Sequence, residues 1–163
     1  MLTIPILAIL VLAGFWLYGP ERIWARSGPA DLGDVDFATL VRRTTPNDAL
    51  ACGEGLCAAK ADLAAPVFAV PAGDLFYKIQ QAVAGEPRLV LMAKEPERGV
   101  LRYVQRSALL RFPDTINVRV VGLPDGRSTV LLYSRSQIGR GDLGVNLKRL
   151  ERWIGLIGQQ AGS

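Results

Sequence analysis

The segment Tyr133–Asn146, YSRSQIGRGDLGVN, is the densest run of side chains in this sequence that could engage a ligand. Ser134, Ser136 and Asn146 bring neutral donors and acceptors, and Arg135 and Arg140 bring cations. Gly139, Gly141 and Gly144 leave backbone amides open ahead of a helix start, where the helix dipole also favours negative charge. Such a loop suits an anion. Asp142 competes for the same amides as a helix cap, and the glycines would serve a plain tight turn equally well. Anion binding and simple loop closure are both open readings of this segment.

A second constellation, Arg106, Arg111 and Asp114, lies in RSALLRFPD. Asp114 could orient an arginine or act as a base, and its place after Pro113 favours an ion pair or a turn cap. Asp114 and Asp142 are the carboxylate pair that acid–base chemistry in this region would draw on. Ser107, Ser134 and Ser136 have no histidine to activate them, because the chain contains none. That absence excludes every His-based triad and removes the commonest ligand of transition metals. Cys52 and Cys57 alone cannot complete a four-ligand zinc site, so neither a metal nor a cofactor is expected.

These residues must be positioned by a folded domain. Half the residues are hydrophobic and about a fifth are charged, a balance that supports a packed core. Asp74 is placed to cap a helix, LFYKIQQAVAG, whose Leu75, Phe76, Ile79 and Val83 share one face. From Arg88 to Gly139 the apolar period becomes two, in runs at 88–94, 99–107, 115–122 and 128–136 separated by EPERG, FPD and LPDGRS. An antiparallel meander follows, and an apolar run at Ala64–Val70 reads as a further strand held to an edge by Pro66. Arg102, Arg106, Arg119 and Arg135 could then share one sheet face. After Asp142 a last helix carries Leu143, Leu147, Leu150, Ile154 and Ile157 as its apolar stripe, with Lys148, Arg149 and Arg152 off it and Trp153 flanking it.

The predicted class is therefore α+β: an N-terminal transmembrane helix, then a two-layer domain of four or five antiparallel strands packed with two helices. The organisation expected is an anchor at 1–19, a juxtamembrane linker at 20–50 rich in Pro, Gly and Asp, and the domain at 51–163. Leu2–Tyr18 contains no charged residue and ends in Phe15, Trp16 and Tyr18, as a membrane-facing segment does at the interface. It is short for a span, which keeps a cleaved signal peptide in view. The missing basic residues after Met1 favour an uncleaved anchor. Arg22 and Arg26 behind the segment argue for a cytoplasmic domain. A bridge between Cys52 and Cys57 in ACGEGLC would argue for an oxidising, periplasmic side, and free thiols are the alternative.

The run RSALLRFPD from Arg106 to Asp114, and YSRSQIGRGDLGVNLKRL from Tyr133 to Leu150, resemble the bacterial and plastid family called domain of unknown function 1499. PND at Pro46–Asp48 and the Cys52 region add a weaker match. The resemblance implies a domain covering most of the chain behind the anchor and a bacterial envelope setting, and it implies no activity.

Charge is unevenly placed, with 11 basic and 4 acidic side chains in residues 98–163. That suits an anionic lipid headgroup or an acidic protein surface at the inner membrane, whereas nucleic acid is not expected because no recognition motif accompanies the charge. The leading expectation is a non-catalytic, membrane-anchored binding or accessory module. The alternative is an enzyme acting on an envelope metabolite with the carboxylates and arginines of the Tyr133–Asn146 loop.

Overall fold

The two-residue period between Arg88 and Gly139 requires strands with one face on a core, and the polar breaks require that they reverse. In the computed structural model, which describes residues 3–162, the chain runs α1 (Thr3–Tyr18), α2 (Pro20–Ala25), β1 (Asp48–Cys52), β2 (Leu63–Ala64), β3 (Val67–Phe68), α3 (Ala72–Val83), β4 (Leu89–Glu95), β5 (Val100–Arg106), β6 (Pro113–Gly122), β7 (Ser128–Ser136) and α4 (Val145–Ala161). Strands β4 to β7 form the expected meander, each antiparallel to the next.

The sheet is larger than four or five strands, and it is mixed. β1 pairs antiparallel with β7, β2 runs parallel to β1, and β3 pairs with the other end of β7, giving seven strands. β1 escaped the alternation test because Ala49, Leu50, Ala51 and Cys52 are all buried, so both of its faces are covered. Pro66 divides the expected Ala64–Val70 strand in two, and its carbonyl accepts a hydrogen bond from Thr129 Oγ1 at 2.8 Å.

α3 and α4 lie together on one face of the sheet. Leu75, Phe76, Ile79 and Val83 of α3 and Leu150, Trp153 and Ile157 of α4 meet Leu101, Tyr103, Ile116, Val118 and Leu132 from the strands. Three details of the helices depart from expectation. α3 begins at Ala72 with Pro71 in extended backbone as its N-cap, so Asp74 falls within the first turn rather than capping it. Trp153, expected beside the apolar stripe, is wholly buried, with its ring edge-to-face on Tyr103 at 5.6 Å. Leu143, expected within the stripe, precedes the helix in left-handed backbone and is 97% exposed.

The other face is covered by the segment expected as a linker. Phe37 and Leu40 pack on Leu50, Leu131 and Tyr133. Thr115 Oγ1 donates to the Ala30 carbonyl at 3.2 Å and accepts from the Leu32 amide at 2.9 Å, and Asn117 Nδ2 donates to the Gly33 carbonyl at 3.1 Å. Arg42 joins Asp48 at 2.6 Å and Asp62 at 2.9 Å, which pins the end of this strap to β1.

α1 is a 16-residue helix, about 24 Å long at 1.5 Å per residue. Gly19, with φ of 92°, separates it from α2, which starts at Pro20. Among the described residues no helix is long and apolar enough to cross a membrane, so the expected transmembrane helix is not among them. Leu7, Ile9, Leu10, Val11 and Leu17 of α1 are nonetheless exposed apolar side chains. Trp24 of α2 fixes this region to the domain, donating from Nε1 to the Leu110 carbonyl at 2.6 Å and packing on Phe112 at 4.6 Å.

Candidate functional site

At one end of the sheet β5 and β7 finish, β1 and β6 begin, and α4 starts. The strand register sets Gln105, Asp114 and Ser136 side by side in one row, with Ser134 in the row behind. All four are buried on the face that receives α4. Asn146 and Arg149, three residues apart and so on the same side of α4, enter this polar patch.

Arg149 is the centre of the patch. Its Nη2 meets Asp114 Oδ2 at 2.6 Å, Nε donates to Gln105 Oε1 at 2.6 Å, and Nη1 donates to Ser134 Oγ at 2.8 Å and to Asn146 Oδ1 at 2.7 Å. A guanidinium that leaves water needs its donors satisfied, and four neutral or anionic acceptors do so here. Asn146 passes the network on, with Nδ2 donating to Ser136 Oγ at 3.0 Å, to the Asn47 carbonyl at 3.1 Å and to Asp142 Oδ2 at 2.6 Å.

Asp142 caps α4 from two residues ahead of the formal N-cap, Gly144. Its Oδ1 accepts from the Gly144 amide and its Oδ2 from the Asn146 amide, both at 2.9 Å. The loop that carries it turns through left-handed backbone at Gly139, Leu143 and Gly144. Asn47 Nδ2 holds the loop by donating to the Gly139 carbonyl at 2.7 Å.

The sequence candidates divide between the two faces. Ser134, Ser136, Asp114, Asp142 and Asn146 are brought together under α4. Arg135 lies on the opposite face, over the Tyr133 ring, and donates to the carbonyls of Leu32 at 2.8 Å and Gly33 at 3.0 Å. Burial lowers its pKa, Tyr133 works against that change, and nearby Arg43 adds to it. The cross-strand register does place Arg102, Arg106, Arg119 and Arg135 on one face, as the alternation suggested. That face is occupied by the strap: Arg102 is paired with Asp31 at 2.9 Å. Arg106 and Arg111, at the rim, share Glu21 of α2 at 3.4 and 3.3 Å, and Arg140 is exposed on its loop.

Three members of the site escaped the sequence reading: Asn47, Gln105 and Arg149. The one available signal for Arg149 was its three-residue spacing from Asn146 on a helix whose neighbour Leu150 is apolar. Cys52 and Cys57 are joined in a disulfide with their Cα atoms 6.3 Å apart, closing the loop behind β1.

Two clefts flank the network. One, of about 280 Å³, is lined by Phe112, Ile138, Leu143 and Val145, with Asp114 and Asp142 at its polar side. The other, of about 570 Å³, is lined by Arg88, Arg106, Arg149 and Arg152 with Glu86 and Gln105. Glu86 is held down to about 2 by its hydrogen bonds from Arg152, against the opposing effect of burial, with Gln105 adding to the shift. Asp114 and Asp142 thus share a cleft, but Asp114 is bound to Arg149 and Asp142 to three donors, which suits them to positioning rather than proton transfer. Among the described residues no three His, Cys, Asp or Glu side chains group as a metal site would require.

No curated protein matches this sequence. The network and both clefts lie almost wholly within residues 46–157, the span that matches the family model described as protein of unknown function DUF1499, and the chain belongs to that family.

Proposed function

We propose that this protein is a non-catalytic binding or accessory module of the bacterial cell envelope, held at the inner membrane by α1. The observation that carries the reading is α1 itself, whose Leu7, Ile9, Leu10 and Val11 are each more than half exposed, and whose aromatic end reaches the domain through Phe15, Trp24 and Phe112. An apolar helix whose described side chains are almost all exposed finds its favourable surroundings in lipid. About 24 Å of helix is short of a bilayer's roughly 30 Å core, and Trp16 and Tyr18 at its end suit the interface.

The Cys52–Cys57 bridge supports placing the domain on the oxidising, periplasmic side, although Arg22 and Arg26 favour the opposite orientation. Thiol labelling of intact cells after reduction distinguishes the two. The enzyme reading draws on Asp114 and Asp142 sharing one cleft, and the hydrogen bonds that already occupy both carboxylates weigh against it.

Flotation of the full chain with neutral phosphatidylcholine vesicles tests the anchor. The expected result is co-flotation of the native chain and its loss in the double variant Leu10→Asp and Val11→Asp, since each buried charge costs about 2.5–3.5 kcal/mol at the centre of a membrane helix. Undiminished flotation of that variant would refute the proposal.

A further inference from the structure

The two clefts beside the Arg149 network adjoin each other, with Ser107 and Val145 in the walls of both. One half is cationic and the other is apolar. In the cationic half Arg88 donates from Nε to the Arg106 carbonyl at 3.0 Å, which holds its guanidinium at the cleft. Among the described residues no carboxylate lies within ion-pair distance of Arg88. Arg152 and Glu86 line the same half, where the guanidinium is forked onto the carboxylate, Nε to Oε1 at 2.9 Å and Nη2 to Oε2 at 2.6 Å. The apolar half is lined by Phe112 and Ile138 together with Leu143 and Val145, both of which are exposed.

Two residues in left-handed backbone line these clefts. Among the described residues three that are not glycine have positive φ: Arg88 at 56°, Arg111 at 58° and Leu143 at 55°. Arg88 lines the cationic half, Leu143 lines the apolar half, and Arg111 stands on the loop between Ser107 and Phe112. Left-handed backbone disfavours a bulky side chain, and such residues collect where a side chain must be aimed for binding. This end of the domain is also the one to which α2 ties α1, through Trp24 on Leu110 and Phe112, and Leu109 beside them is 67% exposed.

We infer that the double cleft is a site for one anionic phospholipid. The phosphate lies on the unpaired guanidinium of Arg88 in the cationic half, and the start of an acyl chain lies along Phe112, Ile138, Leu143 and Val145. Guanidinium groups bind phosphate oxygens by paired charge-assisted hydrogen bonds, which fits a phosphate at the cationic half. Three carboxylates line the clefts, and none repels it strongly, because Arg152 neutralises Glu86, Arg149 neutralises Asp114 and three donors engage Asp142. The inference rests on the membrane-anchored reading for its setting and goes beyond it in naming the ligand class and the site.

The test uses the full chain in non-ionic detergent micelles, so that its outcome does not depend on whether α1 anchors in a bilayer. Calorimetric titration compares monomeric dihexanoyl phosphatidylglycerol, dihexanoyl phosphatidylcholine and glycerol 3-phosphate. The first is expected to bind at least tenfold more tightly than either of the others. Arg88→Asn and Leu143→Asn, both at left-handed positions that asparagine tolerates, each lower its affinity at least tenfold while leaving the melting temperature unchanged. Equal affinity for the two lipids overturns the anionic assignment, and glycerol 3-phosphate binding as tightly as the lipid overturns the acyl half. Affinity unchanged in both variants removes the site altogether.

Discussion

Arg149 Nη2 and Asp114 Oδ2 are 2.6 Å apart, with both side chains almost wholly buried, and this pair joins the second turn of α4 to the start of β6. Arg149→Met leaves Asp114 buried without its cation, and the loss expected from breaking one side of such a pair is about 3–5 kcal/mol. Asp114→Leu in the same chain removes the stranded charge and restores part of the loss. Urea unfolding followed by tryptophan fluorescence measures both. A single variant as stable as the native protein would mean that the pair does not hold α4.

Glu86 gives the fold a dependence on acid. Its folded pKa of about 2 lies below its ordinary 4.5 because Arg152 hydrogen-bonds the ionised form, with burial opposing. A carboxylate depressed in this way stabilises the folded state above about pH 4.5, and the contribution disappears as pH falls toward 2. Arg152 is half exposed, so solvent screening reduces the effect to about 1 kcal/mol. Glu86→Gln should be less stable than the native chain at pH 6, and the two should converge by pH 2. A constant difference across that range would assign the effect to packing.

The same elements show how far the sequence could be read. The meander was legible because β5, β6 and β7 alternate between a helix-covered face and a strap-covered one, and Pro and Gly mark their ends. β1 was not, since a strand buried on both faces carries no alternation, and the covering segment 28–40 reads locally as linker. The division of the candidate site was implicit in the period of two: Ser134 and Ser136 must face away from Arg135. Arg149 could not be placed, because a charged residue on a helix reads as solvated until Asp114, distant in sequence, supplies its partner.

The disulfide closes a small loop at the end of β1, where Cys52 is buried and Cys57 is partly buried against Leu50 and Phe37. Closing a loop this small restricts the unfolded chain by about 2 kcal/mol. Replacing both cysteines by serine is therefore expected to lower the melting temperature by about 6 °C for a chain of this size. Differential scanning calorimetry with and without reductant reads the change. The native protein should show it on reduction, and the serine variant should be indifferent to reductant.

Gly99 occupies the sharp turn between β4 and β5, at φ of 62°, and its amide bonds the Pro96 carbonyl at 3.0 Å to close the turn Pro96–Arg98. On its other side the Gly99 carbonyl accepts from the Val120 amide at 2.8 Å, so β6 is drawn close to the turn. A Cβ at this position would lie 2.7 Å from the Val120 carbonyl oxygen, a backbone atom that the β6 pairings hold in place. Gly99→Ala thus combines left-handed strain of about 1 kcal/mol with displacement of a strand, and a total loss of at least about 2 kcal/mol is expected. Gly85→Ala is the control, because an added Cβ there meets nothing within 4 Å. Unfolding free energies of the two variants from urea denaturation should differ by at least that amount. If they coincide, the close approach of Gly99 to β6 has no energetic role.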